Sequence, residues 1–181
     1  RRMRRSEETL LNAEKFASLA LLDGLPYPQD EMNRAWKRLL FDHFHDIMPG
    51  SGIAVNYVEA RRNLRDVRLA GDQIIANSLG EIATHVNTRG PGVPVVIFNS
   101  LSWPRSEVVE VEAQLPEAAP QIAVTDSKGK TAEAQLLSID PQTHRAHFLL
   151  LASVPAFGCQ TYFVRGTRAA LPLRTSLKAS P

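Results

Sequence analysis

The chain has 181 residues, of which 44% are hydrophobic and 22% charged, with a formal net charge of +2. That composition supports one full domain or two small ones and excludes wholesale disorder, and the near-neutral balance gives no ground for a nucleic-acid partner. Cys159 is the sole cysteine, which excludes an internal disulfide and a cysteine-based zinc site, and no run of about 18 apolar residues is present to span a membrane.

The basic cluster Arg1-Arg2-Met3-Arg4-Arg5 reads as the solvated start of a first helix or the cut edge of a longer protein; a basic arm touching an anionic surface is the alternative. Since Arg1 rather than Met opens the sequence, the absence of a leader says nothing about localisation. From Ser6 to Leu22, residues Leu10, Ala13, Ala17, Ala20 and Leu21 recur at helical spacing, with Ser6 as N-cap and Glu7 and Glu8 in the first turn. Gly24, Pro26 and Pro28 end that helix.

A second helix is expected from Gln29 or Asp30 to Asp46, with an apolar stripe of Met32, Trp36, Leu39, Leu40, Phe44 and Ile47. Pro49-Gly50-Ser51-Gly52 stops it, and Ser51 is placed to cap the next helix. The third helix is long, from Ile53 or Ala54 to Val86. Its seam of Ala60, Leu64, Val67, Gly71, Ile74, Ser78 and Ile82 alternates steps of four and three. The small Gly71 and Ser78 predict close approach of a neighbouring helix.

Beyond Gly90-Pro91-Gly92 the hydrophobic period changes from helical to two. Strands are predicted at Val93–Phe98, around Val109–Ala113, and at Gln121–Val124, Thr131–Ser138, His144–Leu151 and Cys159–Val164. Turn signals at Asp126-Ser127-Lys128-Gly129 and Asp140-Pro141-Gln142 separate them. The expected fold class is α+β in separate domains: a three-helix antiparallel bundle over 1–88, a partial antiparallel β-sandwich over 93–165 and a loosely ordered tail over 166–181.

The segment most suggestive of chemistry is His43-Phe44-His45-Asp46. On the expected helix Asp46 would set a negative charge beside the negative end of the dipole, a local conflict of the kind functional sites accept. On that helix His45 lies about 180° from Trp36, away from the bundle core. Two readings of it stand: a solvated histidine suited to a helix C-terminus, or a metal ligand or general acid/base facing something outside the bundle. His43 would project roughly 160° from His45, so the two cannot share one ion on a regular helix, and His43 reads as packed or half-buried. Zinc needs three or four protein ligands, so any others come from elsewhere. His85, His144 and His147 read as structural or exposed, the latter two on opposite sides of a strand.

Trp36-Lys37-Arg38-Leu39-Leu40-Phe41-Asp42-His43-Phe44-His45-Asp46-Ile47-Met48-Pro49-Gly50-Ser51-Gly52-Ile53 closely resembles the middle-domain signature of the alpha-mannosidases of glycoside hydrolase family thirty-eight. Arg5 to Lys15 resembles the start of that helical domain, and Val96-Ile97-Phe98-Asn99-Ser100-Leu101-Ser102-Trp103-Pro104-Arg105 resembles the first strand and turn of the C-terminal β region. The resemblance covers nearly everything up to Val164.

It implies a retaining hydrolase of terminal alpha-mannosidic bonds, with an aspartate nucleophile, an acid/base carboxylate and a divalent metal, Zn2+ or another such as Co2+. By motif His45 matches the metal ligand and Asp46 the neighbouring aspartate that contacts substrate hydroxyls. His43 receives no role. Gly52 stands where the family carries a small hydroxyl or thiol residue, a departure expected to loosen the start of the third helix. The family's catalytic domain, with nucleophile and His-x-Asp ligands, precedes this region and is missing here, so the chain looks like an interior fragment or truncated product with no catalytic residue of its own. Its expected partners are a mannose-containing oligosaccharide or glycoside and that N-terminal catalytic domain, with neither nucleic acid nor membrane. The Pro-Gly-Ser turn suggests a cytoplasmic enzyme. The alternative is a non-catalytic carbohydrate-binding or structural module.

Overall fold

The computed structural model describes residues 1–169. They form two compact units, one of Arg1–Val86 and one beginning at Asn87.

The first unit is a three-helix antiparallel bundle of α1 (Arg2–Leu22), α2 (Gln29–Asp42) and α3 (Ala54–Thr84). The predicted α3 seam is buried from Ala60 through Leu64, Val67, Gly71 and Ile74 to Ser78, and packs on Leu10, Ala13 and Ala17 of α1 and Met32, Ala35 and Leu39 of α2. Gly71 sits against α1: a Cβ there would lie 2.7 Å from Thr9 Cγ2 and 3.3 Å from Leu10 Cδ2. α1 ends as the sequence suggests, with Gly24 at φ +103° and the Leu25 N–H donating to Ala20 O at 3.0 Å.

Several local expectations need correction. Ser6 is not an N-cap but lies inside α1, buried, its hydroxyl donating to Leu64 O at 3.1 Å and so tying α1 to α3. The buried stripe of α2 is Met32, Ala35, Leu39 and Asp42, not one centred on Trp36. Trp36 is half-buried and its indole donates to Glu14 Oε1 at 2.8 Å, while Leu40 and Phe44 face solvent. The amphipathic pattern was therefore displaced by an aromatic whose polar edge had a partner on α1. Ser51 caps nothing: α3 starts after Ile53 with no side-chain cap.

The second unit holds all six predicted strands: β1 (Val93–Asn99), β2 (Arg105–Gln114), β3 (Gln121–Asp126), β4 (Ala134–Ile139), β5 (Arg145–Val154) and β6 (Gly158–Thr167). They make two antiparallel three-stranded sheets, ordered β1-β6-β3 and β2-β5-β4. Alternation puts Ala146, Phe148, Leu150, Ala152 and Val154 of β5 into the shared core with Val111, Ala113, Val124, Tyr162 and Val164. Tyr162 links the sheets, its hydroxyl accepting from Ser153 N at 2.8 Å and donating to Ser153 O at 3.2 Å. Asn99 organises the β1–β2 turn: its amide donates to Trp103 O at 2.8 Å and Pro155 O at 3.0 Å, and its carbonyl accepts from Leu101 N at 3.1 Å.

His144 does not lie on β5; it precedes the strand at φ 58°, held in the turn that Asp140 closes. His147 is on β5, against Glu110 Oε1 at 2.6 Å. Of the expected tail, Gly166 and Thr167 belong to β6, and residues 170–181 lie outside the described residues.

At Gly71 two effects compete. Ala in place of Gly in a helix gains roughly 1 kcal/mol of propensity, whereas overpacking costs about 1–3 kcal/mol. With 2.7 Å to a β-branched neighbour, overpacking wins. Gly71→Ala should lower the melting temperature followed by helical circular dichroism, and adding Thr9→Ser, which deletes the clashing methyl, should restore it; an unchanged or higher melting point in the single variant would refute the close crossing.

Candidate functional site

The His-Asp pair is not helical. α2 stops at Asp42, with His43 as its C-cap, and residues from His43 to Gly52 form a succession of turns. Phe44 N donates to Phe41 O at 3.2 Å, and Ile47 N and Met48 N both donate to Phe44 O at 3.1 Å. The helical projection of His45 therefore does not apply, although its conclusion stands: the His45 side chain is 74% exposed and Asp46 55% exposed. The two touch loosely, Nε2 to Oδ2 at 3.6 Å. The Phe44 ring packs beside the imidazole, centroids 4.1 Å apart and tilted by 47°.

The loop is fixed from α3. Tyr57, in the first turn of that helix, places its hydroxyl 2.9 Å from Gly52 N, whose proton it accepts, and donates its own to Asp46 O at 3.1 Å. Gly52 N also donates to Asp46 O at 2.8 Å. A Cβ on Gly52 would stand 3.1 Å from Asp46 O and 3.4 Å from the Tyr57 hydroxyl. Gly52 thus does not loosen the start of α3, as expected from its departure from the family pattern; its lack of a side chain lets the loop close on itself. Sequence reasoning missed Tyr57 altogether. The available signal was a tyrosine one turn into a helix, five residues after a glycine, which is weak without the fold.

The electrostatic conflict assigned to Asp46 belongs to Asp42. Asp42 is in the last turn of α2, which carries no basic residue, and is only 2% exposed. Its Oδ1 accepts from Asn63 Nδ2 at 3.4 Å, and Oδ2 has no hydrogen-bond partner among the described residues, as is true of His43 Nε2. Burial pushes the Asp42 carboxyl above its ordinary range and Glu59 adds to this, while the Asn63 hydrogen bond and, more weakly, His43 and Arg38 oppose it. His43 is half-buried, as expected, and lies beside this carboxylate in sequence.

What could this arrangement hold? His45 offers an accessible imidazole and Asp46 an accessible carboxylate, a donor set suited to zinc or a similar divalent ion. No group of three His, Cys, Asp or Glu side chains able to hold a metal occurs among the described residues. The residues fit a metal as one or two of its ligands, not as a complete site.

Residues 1–82 match the family described as the alpha mannosidase middle domain. Over 108 residues the chain is 32% identical to alpha-mannosidase 2C1 of Mus musculus, a match covering 59% of this chain and 10% of that protein. It is 34% identical over 87 residues to the lysosomal alpha-mannosidase of Dictyostelium discoideum, covering 47% and 8%. Among solved structures, a glycosyl hydrolase family 38 protein from Enterococcus faecalis superposes with a TM-score of 0.79 at 20% identity, over 98% of this chain and 25% of that one. The match to the middle-domain family falls on the helical unit, and the bacterial protein shares the fold of the chain. The chain is thus similar to alpha-mannosidases over its helical unit and shares its fold with a glycosyl hydrolase family 38 protein. It spans about a tenth of the length of the curated relatives it matches.

Because the folded Asp42 carboxyl holds its proton more tightly than the unfolded chain does, its effect on stability worsens as pH rises from the unfolded carboxylate value through the folded one. Asp42→Asn should therefore raise the stability of the helical unit at pH 7 by about 1 kcal/mol, a gain that shrinks as pH falls to about 4. Thermal melts of both proteins across that range test it, and a variant less stable at pH 7 would contradict the assignment.

Proposed function

We propose that this chain contributes one wall of the active site of a zinc-dependent retaining alpha-mannosidase, with His45 as a metal ligand and Asp46 as a contact to sugar hydroxyls. The observation that carries the reading is the outward imidazole of His45 on a turn held by Tyr57, within the family's middle domain. Its surroundings support it. Leu40, Phe41, Phe44 and Met48 are exposed apolar side chains in and beside the same turn, a composition that suits a surface covered by another part of a protein. With a single imidazole and a flanking carboxylate, the chain needs the remaining ligands, the nucleophile and the acid/base from outside its described residues.

A bound divalent ion supplies Lewis-acid and template chemistry toward sugar hydroxyls. This chain's part is to donate the His45 ring nitrogen, to keep that ring oriented against Phe44, and to hold Asp46 within hydrogen-bonding reach of a sugar. The corresponding substrate class is a mannose-terminated oligosaccharide or glycoside. No helix among the described residues is long and apolar enough to cross a membrane. A cytoplasmic location rests only on the form of the Pro49-Gly50-Ser51 turn and forms part of this proposal.

The 181-residue chain incubated with zinc and an aryl alpha-mannoside should release no product above background; robust turnover would sink the reading. In an alpha-mannosidase that carries this segment together with a catalytic domain, His45→Ala should lower bound metal and kcat/KM together, by at least about tenfold. Normal metal content and rate in that variant would remove His45 from the site.

A further inference from the structure

Away from the His45 turn, α1 and α3 flank an open groove of about 640 Å3, six of whose nine lining residues are arginine. Arg2 and Arg5 line it from α1; Arg61, Arg62, Arg65 and Arg68 line it from α3. No acidic residue lines it. The whole chain carries a net charge of only +2, so these six arginines leave the remainder net negative. Such concentration is not a side effect of a basic protein.

Helical spacing explains how the groove is built. Residues 61, 65 and 68 are separated by steps of four and three along one face of α3, and residues 2 and 5 are three apart on α1. The Ser6 hydroxyl bonded to Leu64 O stitches the helices together beneath, and Val58 and Leu64 complete the lining. Arg65 reaches Asp66 only at 3.5 Å and Arg68 reaches Asp72 at 3.7 Å, both pairs solvent-exposed and weak. Arg2, Arg5, Arg61 and Arg62 have no ion-pair partner among the described residues. Like charges at these spacings destabilise their helices, so the pattern opposes folding and favours an anion that neutralises it.

We propose that this groove is a binding site for a small phosphate-bearing molecule, its phosphate gripped by guanidinium groups from both helices. Arginine's planar fork matches the oxygens of phosphate bidentately, and every cation in the groove is arginine. The volume falls within the range of about 300–1,000 Å3 typical of small-molecule sites. From residue 61 to residue 68 the α3 row extends about 10 Å, room for one to three phosphates. The lining includes no aromatic side chain on which a base could stack, which favours a small phosphorylated ligand over single-stranded nucleic acid. This site is independent of the mannosidase reading.

Calorimetric titration of the chain in about 0.15 M salt tests it, with inorganic pyrophosphate and glucose 6-phosphate as probes and citrate as a carboxylate control. Saturable binding of either phosphate, at least about tenfold tighter than citrate, is expected, and the tighter arm separates a free from an esterified phosphate. The double substitution Arg61→Gln and Arg65→Gln keeps helix propensity and should weaken binding at least about tenfold, whereas Arg34→Gln on α2 should leave it unchanged. Circular dichroism establishes that each variant folds. No saturation by about 10 mM, parity with citrate, equal binding by the double variant, or tighter binding of an oligonucleotide than of both phosphates would each overturn the proposal.

Discussion

One hydroxyl organises the loop between α2 and α3. Tyr57 accepts from Gly52 N and donates to Asp46 O, so the two ends of the Asp46–Gly52 stretch that follows His45 are referred to a single atom on α3. Each such hydrogen bond contributes only about 0.5–1.5 kcal/mol net. Their value lies in placement. Tyr57 is placed by α3, and α3 is placed by its seam from Ala60 to Ser78, buried against both other helices. The turn has no apolar interior of its own, with most of its side chains in solvent, so without this tie little would distinguish one arrangement of Phe44 to Ser51 from another. Gly52 belongs to the same device, since backbone atoms approach it at distances a side chain would contest.

Immediately before that turn the structure accepts a cost. Asp42 puts a carboxylate into the core at the end of α2 where dipole and desolvation both disfavour it, with one long hydrogen bond from Asn63 in return. A leucine would continue the stripe of Met32, Ala35 and Leu39 without conflict. The acid instead ends the apolar run at the residue where the helix ends. Local conflicts of this kind gather at functional segments, and this one adjoins the turn bearing His45.

How far did the sequence disclose this? Periodicity carried the large elements well: the α3 seam and all six strands are legible from spacing, because burial on one face leaves a pattern that no other arrangement explains. The end of α2 was not legible. Nothing between Leu40 and Met48 breaks a helix, and Phe44 and Ile47 extend the stripe in phase, so the expected helix ran on to Asp46. The contact beyond the helix is tertiary: Tyr57 donates to Asp46 O across eleven residues, which no local pattern announces. Ser6 misled for the same reason. Its cap-like position beside two acids was real, but its hydroxyl had a carbonyl on α3 to satisfy. His45 was singled out correctly as a side chain outside the core, though by a helical projection the turn does not obey.

The turn also constrains what the proposed metal site can be. A helix would have separated successive side chains by fixed angles, whereas the observed turn sets His45 and Asp46 on one outward surface, 3.6 Å apart. Such a pair can act together on one bound group: a neutral imidazole ligates, and the neighbouring carboxylate either joins it or accepts a hydroxyl proton beside it. Two donors on a convex turn cannot enclose an ion, because tetrahedral zinc requires ligands from several directions. The remaining directions must be filled by whatever covers the exposed Leu40, Phe41, Phe44 and Met48. On the proposed reading, then, the apolar contact and the metal site are one design problem. Burying those side chains is what would bring the missing ligands to His45, and the rigidity supplied by Tyr57 is what would let them meet an imidazole already in position.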